Sequence, residues 1–348
     1  MTTEKNIYSL DRKFRPGDGI ARFVVHSVSF ISFAVILLIF IFVFREALPI
    51  FSSTEKSVSS EYLQSETYGD EPGDESDSEL SDETVLLETG GAEGRAGLRN
   101  LLSREWQPVS GQPKYGLIPL FVGSLKVTFI ALLIAAPLSI LAALYTAVFA
   151  SAKLRELIKP TIELLAGFPS VVIGFFALIT LASFFQNLFG YTYRLNAFIG
   201  GLALSLAVIP IIFTITEEAL SSVPREMTEA SLALGATRWQ TALFVILPAA
   251  TPGVFAALIL GFGRAFGETM IVLMATGNAA LTSFNFLEPV RTLSATIGAE
   301  MAEVVFGDTH YNVLFLIGSL LFIITFALNA VAEFYIRGRL LKRFRGED

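Results

Sequence analysis

No cysteine occurs in the 348 residues, so disulfides, thiolate nucleophiles and thiolate-held metals are excluded. Imidazole is nearly as scarce. His26 and His310 are the two histidines, far apart and in unrelated contexts, and they support neither a metal site nor a histidine-based catalytic site. No GxxxxGKS/T run exists, so the chain has no Walker A loop of its own. If ATP drives this protein, another chain hydrolyses it. Charge is sparse too: 16% of residues are charged against 53% hydrophobic, and mean hydropathy is +0.61. Soluble domains run nearer ~25% charged, so this composition belongs to a membrane protein. The chain carries no bond-making chemistry and implies no cofactor and no metal. Its partners are expected to be lipid and protein, with no nucleic acid.

Long apolar runs are what the chain has in abundance. A helix needs roughly 20 apolar residues to cross a bilayer core. Six runs qualify, at 23–44, 127–149, 162–185, 197–216, 252–275 and 312–335. The first is too long for a removed signal peptide, and it lacks a small-residue cleavage site. The fold class is therefore an all-α polytopic membrane protein with six transmembrane helices. Its segments read as an N-terminus (1–22), a first helix (23–44), an acidic loop (45–115), a helical core (116–336) that contains a loop at 217–250, and a basic tail (337–348).

Basic residues set the orientation. With both ends in the cytoplasm, the inner segments hold 15 of the 25 Lys and Arg residues, and the two short outer loops hold only Arg194 and Arg291. This is the positive-inside bias, and it requires an even number of spans. Between Glu55 and Glu93 stand 13 acids and one base, Lys56, so this one outer window carries a net charge of −12 while the rest of the chain carries +5. That window is rich in Ser and Gly and poor in apolar residues. The loop that contains it, 45–115, cannot bury enough surface to offset its ordering entropy and is expected to be disordered or loosely structured. Pro137, Pro169 and Pro210 interrupt the second, third and fourth spans. Within a bilayer each freed carbonyl must find a partner inside the protein, so these helices should be kinked and packed together.

One polar interruption stands out: "EASLALGATRWQTALFVILP", Glu229–Pro248, on the inner side between spans four and five. Pro224 suits a helix first turn, and Gly235 suits the left-handed position that ends one. Thr237 and Gln240 fit a capping box that opens a second helix, expected to end at Pro248. The loop thus reads as a rigid helix–Gly–helix elbow.

The segment resembles the "EAA–x3–G–x9–I–x–LP" signature of ABC importer permeases, with Ser231 in place of Ala and Val245 in place of Ile. The runs 115–145, 159–178, 234–278 and 291–301 look like permeases of the phosphate-specific (Pst) importers, of the PstC type more than the PstA type. The resemblance implies a type I (MetI-like) core of five helices plus one N-terminal helix. It implies an ATP-driven phosphate importer in the bacterial cytoplasmic (inner) membrane. PstB-like ATP-binding subunits, a PstA-like sister permease and an external PstS-like phosphate-binding protein would complete it. It makes Glu229, Ala230, Gly235, Thr237 and Arg238 the coupling residues that seat against the ATPase.

Arg264 and Glu268, in "LGFGRAFGETM" of the fifth span, are the candidate substrate-path residues, with Thr269 beside them. An Arg at mid-bilayer costs roughly 2.5–3.5 kcal/mol even on gentle scales, which asks for a function. The i,i+4 spacing puts Arg264 and Glu268 on one helix face, so they can pair, although Arg before Glu is the weaker order. A guanidinium fork matches two phosphate oxygens. A carboxylate dilutes the positive charge and accepts a bond from a protonated phosphate oxygen, which sulfate lacks near neutral pH. Gly261, Gly263 and Gly267 leave room for close approach of backbone or substrate. Glu163, Glu217 and Glu218 lie near span ends and read as solvated or paired caps. The readings left open are a PstA-type sister, a permease for sulfate or molybdate, and an ATP-independent secondary transporter or scaffold.

Overall fold

The computed structural model describes residues 16–51 and 98–345; the acidic window 55–93 lies outside the described residues. Among the described residues, six helices are long and apolar enough to cross a membrane. They run Phe23–Ile50, Ile118–Phe149, Ser170–Phe189, Ala197–Ser221, Arg238–Phe266 and Thr309–Ala332.

The first span belongs to helix α1 (Pro16–Ala47). It packs on α13 (Thr309–Arg345) through aromatic contacts, Phe40 on Phe322 at 4.9 Å and Phe42 on Phe315 at 5.9 Å between ring centroids. Most of the other described side chains of α1 are exposed. It is therefore an appendage to the remaining bundle. The backbone of α13 stays helical through Arg345, so the basic tail continues the last span.

The heart of the fold is α3 (Ile118–Leu144) against α7 (Ala197–Ser221), with α10 (Leu247–Phe266) laid across them. Apolar helices in lipid gain little from hydrophobicity, so small residues bring them close. A Cβ on Gly201 would fall 2.6 Å from the Cβ of Ile130, and one on Gly261 would fall 2.7 Å from Cγ1 of Ile212. Gly261 thus serves helix packing. Ser139 of α3 donates to the Ile209 carbonyl of α7 at 3.1 Å, next to Pro210.

The third span starts later than the apolar run suggests. Residues 152–166 form a separate amphipathic helix, α4 (Ala152–Ala166), and the chain breaks at Gly167–Pro169. Pro169 caps the start of α5 (Ser170–Phe176) instead of interrupting a span. This suits proline, which disfavours helical backbone in the residue before it. The span continues through a π-turn at Ala177–Leu181 into α6 (Ala182–Phe189). A second π-turn, Tyr145–Phe149, ends the second span. Arginines take carbonyls of both wide turns. Arg155 bonds Thr146 O at 3.1 Å and Ala147 O at 2.7 Å, and Arg194 bonds Leu178 O at 3.1 Å.

Spans one and two are joined, at the bundle end opposite α4, by a structured piece inside the loop expected to be loose. Here α2 (Leu98–Leu101) precedes an antiparallel hairpin, β1 (Trp106–Gln107) and β2 (Lys114–Tyr115). Loose structure is therefore corrected for 98–115. Trp106 and Tyr115 pair across the hairpin and bury against Leu293, Val313 and Leu314, which supplies the apolar burial that the acidic window lacks.

Candidate functional site

The fifth span does not reach residue 275. It ends at Phe266, and after a break over Gly267, Glu268 and Thr269 the chain resumes as α11 (Met270–Ala275). A break among spans frees backbone groups that need internal partners. Ser294 of α12 (Leu293–Glu300) donates its hydroxyl to the Glu268 carbonyl at 2.6 Å. Arg264 sits in the last turn before the break and Glu268 within it.

The expected Arg264–Glu268 pair does not form; among the described residues Arg264 makes no ion pair. The i,i+4 relation holds only while the helix continues, and here it stops between the two. Both residues nevertheless line one cavity of about 380 Å³, together with Gly263, Gly267, Thr325 and Asn329. Its walls come from α7, α10 and α13. Two glycines thus keep the cavity open while Gly261 packs. Thr269 is not in this lining; its methyl lies where a Cβ on Gly298 of α12 would come within 2.7 Å. The hollow opens on the surface of the chain, with Arg264 exposed and Glu268 half-buried, so it presents a guanidinium without an ion pair and a carboxylate along one lining.

The elbow is built largely as its local chemistry dictates. α8 (Arg225–Ala233) starts after Pro224, and Gly235 turns the chain at φ +87°. Thr237 accepts from Gln240 N at 3.3 Å and Gln240 Oε1 accepts from Thr237 N at 2.8 Å, so the capping box opens α9 (Arg238–Thr241). The second arm does not end at Pro248, as expected. A π-turn at Ala242–Ile246 carries it into α10, with Leu247 N bonded to Ala242 O. Proline lacks an N–H and crowds the carbonyl four residues back, and the wider turn accommodates it. Ser231 and Thr241 hydroxyls, 3.0 Å apart, brace the two arms. Glu229, Ala230, Gly235, Thr237 and Arg238 are all exposed, and Leu234 at the bend is 90% exposed. A Cβ on Gly235 would meet no atom within 4 Å, so only the backbone angle resists substitution there. Gly235→Val should therefore destabilise the bend by about 1–2 kcal/mol, with Gly235→Asn costing less. Hydrogen exchange at Leu234–Thr237 checks this, and equal protection in both variants would contradict it.

Of the three flanking acids, Glu163 and Glu218 are exposed. Glu217 is buried, pairs with Lys159 at 2.7 Å and accepts from Ser221 at 2.9 Å. The pair ties α4 to α7.

Sequence reasoning missed a polar cluster at the hairpin end. Glu300 accepts from Trp106 Nε1 at 3.1 Å, pairs with Arg291, and lies 2.9 Å from His310 Nε2. Arg291 also donates Nε to Asn278 Oδ1 at 3.0 Å and to its carbonyl at 3.2 Å. Burial alone would raise the Glu300 carboxyl; hydrogen bonds from His310 and Trp106, with the charge of Arg291, outweigh it and hold the group below the usual carboxylate range. The cluster fastens hairpin, α12 and α13 together. A second missed group is Lys126, buried in the second span, which donates to the Asn285 carbonyl at 3.2 Å. Its one legible signal was a lone cation in an apolar run.

The family of binding-protein-dependent transport system inner membrane components matches residues 135–338, which leaves α1 and the hairpin outside. The probable ABC transporter permease protein YqgH of Bacillus subtilis is 37% identical over 226 residues, covering 65% of this chain and 73% of that protein. The phosphate transport system permease protein PstC of Mesorhizobium japonicum is 33% identical over 259 residues, 69% of this chain and 78% of its own length. PstC 1 of Mycobacterium tuberculosis is 32% identical over 289 residues, 72% and 85%. Among solved structures, the inward-facing MetNI methionine ABC transporter aligns at 23% identity and a TM-score of 0.46, covering 63% of this chain and 94% of that one.

Proposed function

The chain belongs to the inner membrane components of binding-protein-dependent transport systems, and on that premise we propose that its cargo is inorganic phosphate. It is a multi-pass permease subunit of an ABC importer and not an enzyme; ATP hydrolysis falls to a separate subunit. The observation that carries the phosphate reading is Arg264, unpaired in a cavity that also holds Glu268. A guanidinium fork suits two oxygens of a tetrahedral oxyanion. Glu268 limits the net charge so that the anion is released, and it accepts a hydrogen bond from a protonated phosphate oxygen. Relatives named as PstC phosphate permeases support the same cargo and the PstC-type role.

In this reading both termini face the cytoplasm, as the distribution of basic residues favours. The elbow of Glu229, Ala230, Gly235, Thr237 and Arg238 then faces the ATP-binding subunits. Its exposed Leu234, Trp239 and Phe244 supply the apolar surface such a contact needs. A PstA-like sister permease, PstB-like ATP-binding subunits and an external PstS-like binding protein complete the assembly. ATP-driven closure of the motor tilts the elbow, the cavity alternates between the two sides, and phosphate passes Arg264.

The test is radiolabelled phosphate uptake by proteoliposomes holding the whole complex, with sulfate and molybdate as competitors. Uptake should depend on ATP and on the external binding protein, and excess sulfate or molybdate should leave it unaffected. Equal competition by sulfate would overturn the phosphate assignment, and ATP-independent uptake would overturn the coupling role of the elbow.

A further inference from the structure

Asn329 lies on α13, inside the sixth span, and faces the cavity that holds Arg264. Four residues earlier on the same helix, Thr325 lines the same cavity, as i,i+4 spacing allows. The Thr325 hydroxyl is already committed, donating to Leu321 O at 2.8 Å. Asn329 is different: its amide has no hydrogen-bond partner among the described residues. Polar side chains in membrane helices ordinarily bond across to a neighbouring helix, because an unsatisfied amide in an apolar setting is costly. The neighbour here is α10, and at the facing position it presents Gly263, which has no side chain to bond. A Cβ added at Gly263 would lie 3.5 Å from Asn329 Oδ1, its nearest contact. The amide is exposed and stands over bare backbone at the residue before Arg264, on the lining that the two share.

We propose that Asn329 is a second recognition group for the translocated oxyanion, giving it a neutral donor and a neutral acceptor beside Arg264. The inference rests on the phosphate reading above and deepens it. An amide carries two N–H donors and a carbonyl acceptor. Its donors can hold a deprotonated phosphate oxygen without adding charge, and its carbonyl can accept the proton of a P–OH. Arg264, a pure donor, cannot do the second, and Glu268, a pure acceptor when ionised, cannot do the first. A fully ionised tetrahedral anion would set a lone pair against the amide carbonyl. Asn329 thus adds discrimination for a protonated oxyanion without deepening the electrostatic trap.

The experiment uses the complete complex in proteoliposomes with saturating phosphate-loaded binding protein, reading phosphate transported and ATP hydrolysed in the same sample. Asn329→Leu, nearly isosteric, should lower phosphate uptake about tenfold, the effect of one lost polar contact, while stimulated ATP hydrolysis persists. ATP consumed per phosphate should rise by the same factor, and Asn329→Gln should recover part of the loss. Unchanged uptake in Asn329→Leu would overturn the proposal. So would a parallel fall in uptake, hydrolysis and recovered complex, the signature of a residue that only holds helices or subunits together. Arg264→Ala measured alongside separates this inference from its premise. Wild-type uptake there removes the Arg264 reading, whereas wild-type uptake in Asn329→Leu with a defective Arg264→Ala removes this inference alone.

Discussion

Arg264→Ala should assemble normally and take up phosphate about 100-fold more slowly than the unmodified complex. The size follows from what is lost. A hydrogen bond to a charged group contributes about 1.5–3 kcal/mol, a guanidinium fork makes two, and ~1.4 kcal/mol is a factor of ten. Assembly should survive because Arg264 makes no ion pair among the described residues, and its removal leaves no buried acid stranded. Arg264→Lys should fall between the two, since it keeps the charge and loses the planar fork. The measurement is initial-rate uptake in proteoliposomes normalised to complex recovered. Unchanged uptake in Arg264→Ala, or a loss that tracks reduced assembly, would remove Arg264 from the substrate path.

The largest effect on stability is expected at Glu300. Its carboxylate serves three groups at once, Trp106, Arg291 and His310, drawn from the hairpin, the loop before α12 and the start of α13. Glu300→Ala strands the Arg291 guanidinium, whose side chain is 18% exposed. Removing one partner of a buried pair typically costs about 3–5 kcal/mol. The loss should appear first as faster hydrogen exchange and proteolysis across 98–116, because Trp106 of that segment loses its bond to Glu300. Acid should act in the same direction. The folded-state carboxyl is held below its ordinary value, so the contribution of Glu300 is complete above about pH 4.3 and fades as pH falls through the lower folded value. Opening of the hairpin in the unmodified protein as pH falls below the ordinary carboxylate range, and its absence as a separate acid step in Glu300→Ala, is the expected pair of results. Protection of 98–116 that ignores both the substitution and acid would show the cluster to be dispensable.

Much of the architecture could be read from local pattern. Apolar runs located all six spans, and the elbow's bend and capping box followed from Gly235, Thr237 and Gln240, whose interactions span a few residues. Errors arose where apolar composition continues through a change of structure. The run past residue 266 stays greasy, but the helix stops there, and the Glu268 carbonyl in the break is satisfied by Ser294, 26 residues on. Hydropathy cannot register a break whose partner is distant. The third span failed similarly: the apolar end of α4 from residue 162 reads as its beginning, while Pro169 marks the true start. At the candidate site, Arg264 and Glu268 were visible as charges in an apolar run. Asn329 and the Glu300 cluster were not, since Trp106 and Glu300 stand 194 residues apart and only the folded chain joins them.

From Arg238 to Phe266 the chain stays helical, through the wide turn at Ala242–Ile246 and past Pro248 and Pro252, so the corner of the elbow and Arg264 are two points on one continuous helical rod. At 1.5 Å per residue they are separated by about 39 Å, and pivoting that rod by ~5° sweeps its far point through about 3 Å. That arc equals the length of one hydrogen bond. A rotation too slight to disturb helix packing is thus enough to bring the guanidinium onto an anion or withdraw it, and grip and release at the cavity become a matter of angle.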